Sequence, residues 1–391
     1  MKLNSIQFLR AVAALLVVYE HSMDVQMKFG KSWEQNIYHL KGFGCIGVDL
    51  FFVISGFIIT YVANRYRGIA QGFQFLEKRF YRINPVYYIA TILCLGVYLL
   101  QLNVNHTSID STFRKTMSSL LDSLLIFPTS GDIDFFVPLL IVGWTLSFEW
   151  LFYIFFFFLI LCNIKRKAIY LSSLILLLIG TGQLLQSEDL RLQFITNPIM
   201  LEFVLGVIIC QLYLNNIKIP SWMAAAGLAA GLISYGLLIR FGYGNVWYYL
   251  DTISGKASLN KFLLWGLPSG CIVTGCVSLE KNGKLSWLFN NRWSLLLGDA
   301  SYSLYLIHYI VLNALFTMYF KTKFFLNGDA MIWLQLIVAT IISVVFYKLI
   351  ETPLLKLMHK HSIIDKLITS NSKVESAKKK GIIQQAEPVI S

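Results

Sequence analysis

Ten apolar runs, each long enough to cross a lipid bilayer, recur along the whole 391-residue chain. A membrane-spanning helix needs roughly 17 to 25 consecutive, mainly apolar residues. Only 14% of the residues are charged, against about 25% in a soluble domain. The pattern predicts an all-α polytopic membrane protein, a bundle of about ten transmembrane helices. The predicted spans are about 6–23, 45–64, 84–102, 143–162, 168–186, 196–215, 222–240, 262–280, 300–320 and 330–350.

The first apolar run carries an arginine and a histidine, Arg10 and His21. In a helix these side chains fall within roughly 20° of each other and about 16 Å apart along the axis. The residues between them on that stripe, Ala14 and Val17, are small. Ionisable side chains inside a membrane span are costly and mark a functional site by default. The run also has the length of a signal peptide, but the EHSMDV that follows contains no small-residue cleavage site.

Lysine and arginine concentrate in every second predicted loop and in the C-terminal segment. The positive-inside rule places such loops in the cytoplasm, which favours ten spans with both termini cytoplasmic. An odd number of spans would move most of these loops to the wrong side. We therefore predict a transmembrane domain over 1–353 and a lysine-rich cytoplasmic tail over 354–391, disordered because of its polar composition.

The charge and cysteine patterns exclude several classes of function. The net charge of +12 is dispersed over short loops and a tail, and it forms no single stripe that would bind nucleic acid. The six cysteines lie in or beside apolar runs and contain no CxxC pair. Buried packing residues are therefore favoured over disulfides or a metal site, and we expect no metal cofactor.

Four polar clusters interrupt the apolar background, at 47–57, 75–88, 143–153 and 298–308. The second is predicted to be a basic inner loop that opens the third span at Pro85. The fourth spaces its polar residues at the helical interval i, i+4, i+7. The candidate site residues of these clusters are Asp49 and Ser55; Lys78, Arg79 and Arg82; Trp144 and Glu149; and Ser301, Tyr305 and His308.

Each cluster also has a simpler structural explanation. Basic residues near a helix end can be ordinary cytoplasmic anchors. Asp49 can cap its helix, and Ser301 and Tyr305 can hydrogen-bond between helices. A lone His308 is more often a buried packing residue than a catalyst. Glu149 is the hardest to explain in this way, because it lies about one and a half turns inside the fourth span.

Five motifs occur in an order and spacing that resemble the acyltransferase-3 family of bacterial membrane O-acyltransferases. They are RAVAALLVVYEH, GVDLFFVISGF, KRFYRINPVY, WTLSFEWLFY and SYSLYLIH. The resemblance covers about residues 3–353 and is strongest to the members that modify exopolysaccharides. No appended extracellular hydrolase-like domain is expected.

The resemblance implies transfer of an acyl group, usually acetyl from acetyl-CoA, to a carbohydrate hydroxyl. The acceptor would be a polysaccharide, an oligosaccharide or a lipid-linked sugar, and the location the bacterial inner (plasma) membrane. In the family, the positions of Arg10 and His21 form the functional pair. The basic positions Lys78, Arg79 and Arg82 are also functional, although Lys78 stands where an arginine is common and lacks its bidentate geometry.

The chemistry suggests a role for each candidate. A sugar hydroxyl needs a positioned base, most often histidine, and we assign His21 to that role. Glu149, if it faces His21, would orient the imidazole. The phosphates of the acyl donor need cations, for which we assign Arg10 together with the basic positions of the 75–88 segment. The remaining candidates are assigned to substrate binding or structural support.

These assignments predict a route through the protein. The donor would enter from the cytoplasm and extend its arm outward along Ala14 and Val17. The thioester would then meet the acceptor near His21 and the 103–142 loop.

Two other classes of function fit parts of the pattern. A transporter or flippase for a lipid-linked sugar would use Arg10, His21 and Glu149 to bind ions or substrate, but no pair of matching broken helices is evident. A purely structural partner of a polysaccharide synthase would not need Arg10 and His21 on one stripe. The sequence leaves open the acyl group, the acceptor hydroxyl, the membrane face of transfer and the oligomeric state.

Overall fold

A computed structural model describes residues 3–28, 42–105, 119–120, 122–128, 138–241, 249–322 and 329–360. Within these residues all regular structure is helical, and ten stretches have the length and composition to cross a membrane. The prediction of an all-α polytopic membrane protein is therefore confirmed. The orientation of the termini stays a prediction.

The helices in the first part of the chain include α1 (Asn4–Lys28), α2 (Ile46–Ala63), α3 (Ile69–Asn105), α4 (Trp144–Leu161), α5 (Lys167–Leu185), α6 (Leu190–Ile195), α7 (Met200–Leu214) and α8 (Ser221–Phe241). They are followed by α9 (Tyr249–Ile253), α10 (Ser258–Lys261), α11 (Leu267–Lys281), α12 (Ser286–Phe289), α13 (Arg292–Asp299), α14 (Ser301–Thr322), α15 (Asp329–Phe346) and α16 (Thr352–Lys360). Two π-helical segments, Phe262–Gly266 and Tyr347–Glu351, make α10 continuous with α11 and α15 continuous with α16.

The third span differs from its prediction. We expected a basic inner loop over 75–88 and a helix from Pro85, but α3 begins at Ile69 and contains Pro85. A proline inside a helix removes a single backbone hydrogen bond, which neighbouring helices can compensate in a membrane protein. At 37 residues, α3 is about 55 Å long and exceeds the roughly 30 Å hydrocarbon layer. The basic residues therefore lie on a rigid helix.

The first residues of the predicted C-terminal tail are helical. Residues 354–360 continue the last helix, since α16 ends at Lys360. Its amphipathic sequence, TPLLKLMHK, explains why a helix persists beyond the apolar run. Residues 361–391 lie outside the described residues.

Helix α1 occupies the centre of the bundle. It packs against α2, α11, α13, α14 and α15, and Ala13, Ala14 and Val18 are fully buried. The outermost spans are α5 and α8, which present exposed leucines such as Leu184 and Leu237. Any polar side chain on the inner face of α1 therefore points into protein and not into lipid.

Two glycines bring α2 and α7 into backbone contact. A Cβ at Gly56 would lie 2.2 Å from the carbonyl oxygen of Phe203, and one at Gly206 would lie 2.1 Å from that of Val53. Small residues that allow such close approach are typical of helix interfaces in membranes. This contact fixes the wall of the bundle behind α1.

Candidate active site

A cavity of about 140 Å³ lies among α1, α2, α3, α4 and α14. It collects polar residues from all five helices, and we call it the arginine cavity. Its polar lining residues are Arg10, Ser55, Arg79, Arg82, Thr145, Glu149, Tyr153, Ser301, Tyr302 and Tyr305. The structure thus brings together seven of the predicted site residues, from motifs that are far apart in the sequence.

The three arginines of this cavity differ in their partners. Arg82 Nη1 lies 2.6 Å from Glu351 Oε1, and the fully buried Glu351 also accepts a 2.5 Å hydrogen bond from Ser303. Arg79 lies over the ring of Phe75, and its buried Nε has no partner in the described part of the chain. Arg82 is therefore neutralised by a carboxylate, whereas Arg79 is not.

Arg10 makes no hydrogen bond or ion pair with any residue that the structure describes. Its guanidinium nevertheless lies inside the bundle, where it lines the arginine cavity. Glu149 and Glu351 act on this charge only at longer range. A buried ionisable residue without a direct partner is costly in a membrane protein, which makes Arg10 a candidate site residue.

Glu149 does not take the position that we assigned to it. Its Oε1 accepts a 3.2 Å hydrogen bond from Ser55 Oγ and a further, very short one from the Tyr153 hydroxyl. It lines the arginine cavity, and it is the one carboxylate among the described lining residues there. Glu149 therefore does not face His21. The two side chains line different cavities, and a catalytic role of Glu149 stays a prediction.

His21 lines a second cavity, of about 560 Å³, which we call the histidine cavity. Its Nδ1 lies 3.3 Å from Asp24 Oδ2, one turn further along α1. A proton on Nδ1 shared with Asp24 leaves Nε2 free to accept a proton. Sequence reasoning missed Asp24, although its i, i+3 spacing from His21 was a usable signal.

His308 supports the His21 ring from behind. The two rings stack with centroids 5.3 Å apart, and the ring of Tyr309 meets His21 edge-on at 5.9 Å. His308 is fully buried, and its Nδ1 lies 2.8 Å from the carbonyl oxygen of Leu304. This arrangement makes His308 a support for the His21 ring.

Tyr305 separates the two cavities. Together with Val48 it lines both of them. Its hydroxyl donates to the carbonyl of Val142 at 2.9 Å and pairs with Thr145 Oγ1 at 2.7 Å, which fixes the ring. Of the two residues on the predicted route, Val17 lines the histidine cavity and the buried Ala14 lines neither cavity, and the route of the donor stays a prediction. Val48 and Tyr305 are the lining residues that the two cavities share.

A buried charge cluster borders the histidine cavity. Lys261 Nζ lies 3.2 Å from Asp49 Oδ2, and both side chains are almost completely buried. Glu202 is fully buried beside Asp49. Lys261 lines the cavity, whereas Asp49 does not and contacts it only as the ion-pair partner of Lys261. Lys261 and Glu202 were not predicted, although Glu202 is a charge within an apolar run.

Glu20, next to the predicted base, has a structural role. It accepts hydrogen bonds from the backbone amides of Gly42 at 2.9 Å and Gly44 at 3.1 Å. These bonds hold the turn that leads into α2 against α1. A carboxylate in this position fixes the wall of the histidine cavity, which it also lines.

The remaining candidate residues line one or the other cavity, or neither of them. Trp144 lines the histidine cavity, whereas Ser301, whose buried hydroxyl has no hydrogen bond among the described residues, lines the arginine cavity. Lys78 lines neither cavity. No group of three or more His, Cys, Asp or Glu residues that could hold a metal ion occurs in the described ranges. The predicted 103–142 acceptor loop lies largely outside the described residues.

The fold and its two adjacent cavities are those of a polytopic membrane protein with a polar site between its helices. Residues 3–348 match the acyltransferase domain of the acyltransferase-3 family, and the chain belongs to this family. The prediction of an O-acyltransferase enzyme embedded in a membrane is thereby confirmed.

The names of two similar proteins agree with this family. The chain is 31% identical over 313 residues to the exopolysaccharide production protein ExoZ of Rhizobium meliloti, covering 80% of this chain and 90% of ExoZ. It is 24% identical over 334 residues to the acyltransferase MdmB of Streptomyces mycarofaciens, covering 80% and 79% of the two chains.

A third relative is longer than this chain. The O-acetyltransferase OatA of Staphylococcus aureus is 22% identical over 349 residues, which cover 82% of this chain but 55% of OatA. No solved structure matches the chain.

Proposed function

We propose that this protein transfers an acetyl group from acetyl-CoA to a hydroxyl of a cell-envelope or exported carbohydrate, in the bacterial inner membrane. The observation that carries the proposal is the adjacency of the two cavities across Tyr305. One holds the His21–Asp24 pair, and the other holds the unpaired cations Arg10 and Arg79. A base next to an anion site suits a phosphate-bearing acyl donor and a neutral hydroxyl acceptor.

Relatives support both the donor group and the acceptor. One is named an O-acetyltransferase, and another is named for exopolysaccharide production. Ten candidate spans support an integral, multi-pass location.

His21 is the proposed general base. Its Nε2 would take the proton of the acceptor hydroxyl while that oxygen attacks the thioester carbonyl carbon. The tetrahedral intermediate would then collapse, the carbon–sulfur bond would break, and the leaving thiolate would take the proton back from the imidazolium. The carboxylate of Asp24, 3.3 Å from Nδ1, would orient the ring and stabilise its charged form.

Arg10 and Arg79 are the proposed phosphate ligands. Their guanidinium groups have no carboxylate partner in the described part of the bundle, and guanidinium groups bind phosphates in a bidentate way. Arg82 is assigned a positioning role instead, because its guanidinium already forms an ion pair with Glu351. Lys78 would contribute only long-range charge.

Mass spectrometry of surface glycans from a deletion strain would test this proposal. We expect the glycan to persist and to lose an ester mass of one acetyl group. Complementation with the wild-type gene should restore that mass, and complementation with His21→Ala should not. Loss of the whole polymer would contradict the proposal and would favour a transporter or an assembly factor.

A further inference from the structure

A third cavity, of about 370 Å³, lies beside the arginine cavity and shares Arg10 and Ile58 with it. Its volume falls within the roughly 300 to 1,000 Å³ of small-molecule sites. It is formed by α1, α7 and the C-terminal half of α2 together with the residues that follow it. We call it the tyrosine cavity, after its polar lining residues Gln7, Arg10, Tyr61, Arg65, Tyr66 and Tyr213.

Two tyrosine rings of this cavity pack edge to face. The rings of Tyr61 and Tyr213 lie 6.3 Å apart at an interplanar angle of 64°. The guanidinium carbon of Arg65 lies 5.0 Å from the centre of the Tyr61 ring, and its Nη2 donates to the Tyr61 hydroxyl at 3.1 Å. Aromatic faces and guanidinium planes are surfaces on which a planar base stacks.

The charges of the tyrosine cavity favour an anion. Its described lining residues include Arg10 and Arg65 but no aspartate or glutamate. Arg65, like Arg10, forms no ion pair with any carboxylate in the described ranges. Two arginines without acidic partners, beside a wall of tyrosines, match the chemistry of a phosphorylated nucleotide.

We infer that the tyrosine cavity binds the adenine nucleotide head of the acyl-CoA donor, an inference that rests on the proposed function. The base stacks on the face of one of the two rings, Tyr61 or Tyr213, with the other ring edge-on to it, and Arg65 binds a phosphate. Arg10, which both cavities share, holds the pyrophosphate where the donor's arm enters the arginine cavity. Arg65 lies two residues beyond the last residue of α2, at the end that the predicted topology assigns to the cytoplasm, where CoA is available.

Steady-state kinetics with two donors would test this inference. The full chain is purified and reconstituted in vesicles of phosphatidylcholine alone, so that no anionic lipid headgroup competes for the site. Acetyl transfer is measured with acetyl-CoA and with S-acetylpantetheine, which lacks the nucleotide. Arg65→Ala and Tyr61→Leu are compared with Arg67→Ala, a matched control that removes an equally exposed arginine two residues away which lines none of the three cavities.

We expect Arg65→Ala to raise the KM for acetyl-CoA about tenfold, the value of one charge-assisted hydrogen bond. Its kcat and its KM for S-acetylpantetheine should not change, and Arg67→Ala should resemble the wild type with both donors. Adenosine 3′,5′-bisphosphate should inhibit the wild type competitively against acetyl-CoA, and Arg65→Ala much less.

Any of four results would overturn the inference. Arg65→Ala could raise KM for both donors equally, or for neither. The wild type could use S-acetylpantetheine as efficiently as acetyl-CoA, which would leave the proposed acetyl transfer intact but remove any role for the nucleotide head. A wild-type protein that transfers acetyl from neither donor would overturn the proposed function as well.

Discussion

Arg10 and His21 lie on the same face of one helix, but they serve different cavities. The arginine lines the arginine and tyrosine cavities, and the histidine lines the histidine cavity beyond Tyr305. Eleven helical positions, about 16 Å along the axis, thus separate an anion-binding group from a base. At the scale of single residues, the role of each charged group depends on whether it already forms an ion pair within the protein or is available to a ligand.

The ion pair between Arg82 and Glu351 leads to a first prediction. Arg82→Ala should lower the free energy of unfolding by about 3 kcal/mol, because it leaves Glu351 buried without its cation. Arg79→Ala should leave stability nearly unchanged and raise the KM for the acyl donor. Thermal unfolding in detergent and donor titrations measure the two effects. Equal losses of stability in both variants would contradict the distinction.

Asp24 gives a second prediction at this scale. Asp24→Asn keeps the size of the side chain but removes the charge that stabilises the His21 imidazolium. We expect kcat to fall at least tenfold while the KM for both substrates changes little, because a positioning residue acts on the transition state. Steady-state kinetics on the reconstituted enzyme give both constants. A rise in KM without loss of kcat would indicate that Asp24 binds substrate instead.

At the scale of helices, the close contact of α2 with α7 gives a third prediction. Gly206→Ala would place a Cβ 2.1 Å from the carbonyl oxygen of Val53, and we expect a loss of about 1–3 kcal/mol in stability. Gly96→Ala on α3 is the matched control, since nothing lies within 4 Å of its Cβ position. The unfolding temperatures of the two variants measure this difference in stability. A control that loses as much stability as Gly206→Ala would refute the packing argument.

The sequence predicted the helices better than it predicted their ends. Apolar runs located the spans because the bilayer demands them, but Pro85 suggested a helix start where α3 runs on unbroken from Ile69. Local signals also failed for the partners of charged residues. Asp24 lies one helical turn from His21, so the sequence spacing could have predicted this pair. Arg82 and Glu351 are 269 residues apart in the sequence, so no local spacing could predict theirs. Such contacts depend on how helices pack, which no local pattern encodes.

At the scale of the whole molecule, the proposed mechanism depends on the membrane topology, which the distribution of lysine and arginine over the loops predicts. Lys165 lies in the connection between α4 and α5, and Glu188 lies between α5 and α6. With both termini cytoplasmic, these two connections face opposite sides of the membrane. The tyrosine cavity then opens towards the cytoplasm and the histidine cavity lies towards the outside.

This orientation is a fourth prediction. In a chain without its six native cysteines, Glu188→Cys should react with a membrane-impermeant maleimide in intact spheroplasts. Lys165→Cys should react only after permeabilisation. Labelling of Lys165→Cys in intact spheroplasts would reverse the topology, and the donor would then have to enter from the opposite side.

The central claim is that His21 is the base that activates the acceptor hydroxyl. The most direct measurement is acetyl transfer from acetyl-CoA to the isolated acceptor glycan by reconstituted His21→Ala, with CoA binding measured on the same sample. We predict that transfer falls to the background of empty vesicles while CoA binding and the unfolding temperature match the wild type. Transfer at a rate near that of the wild type would contradict the claim.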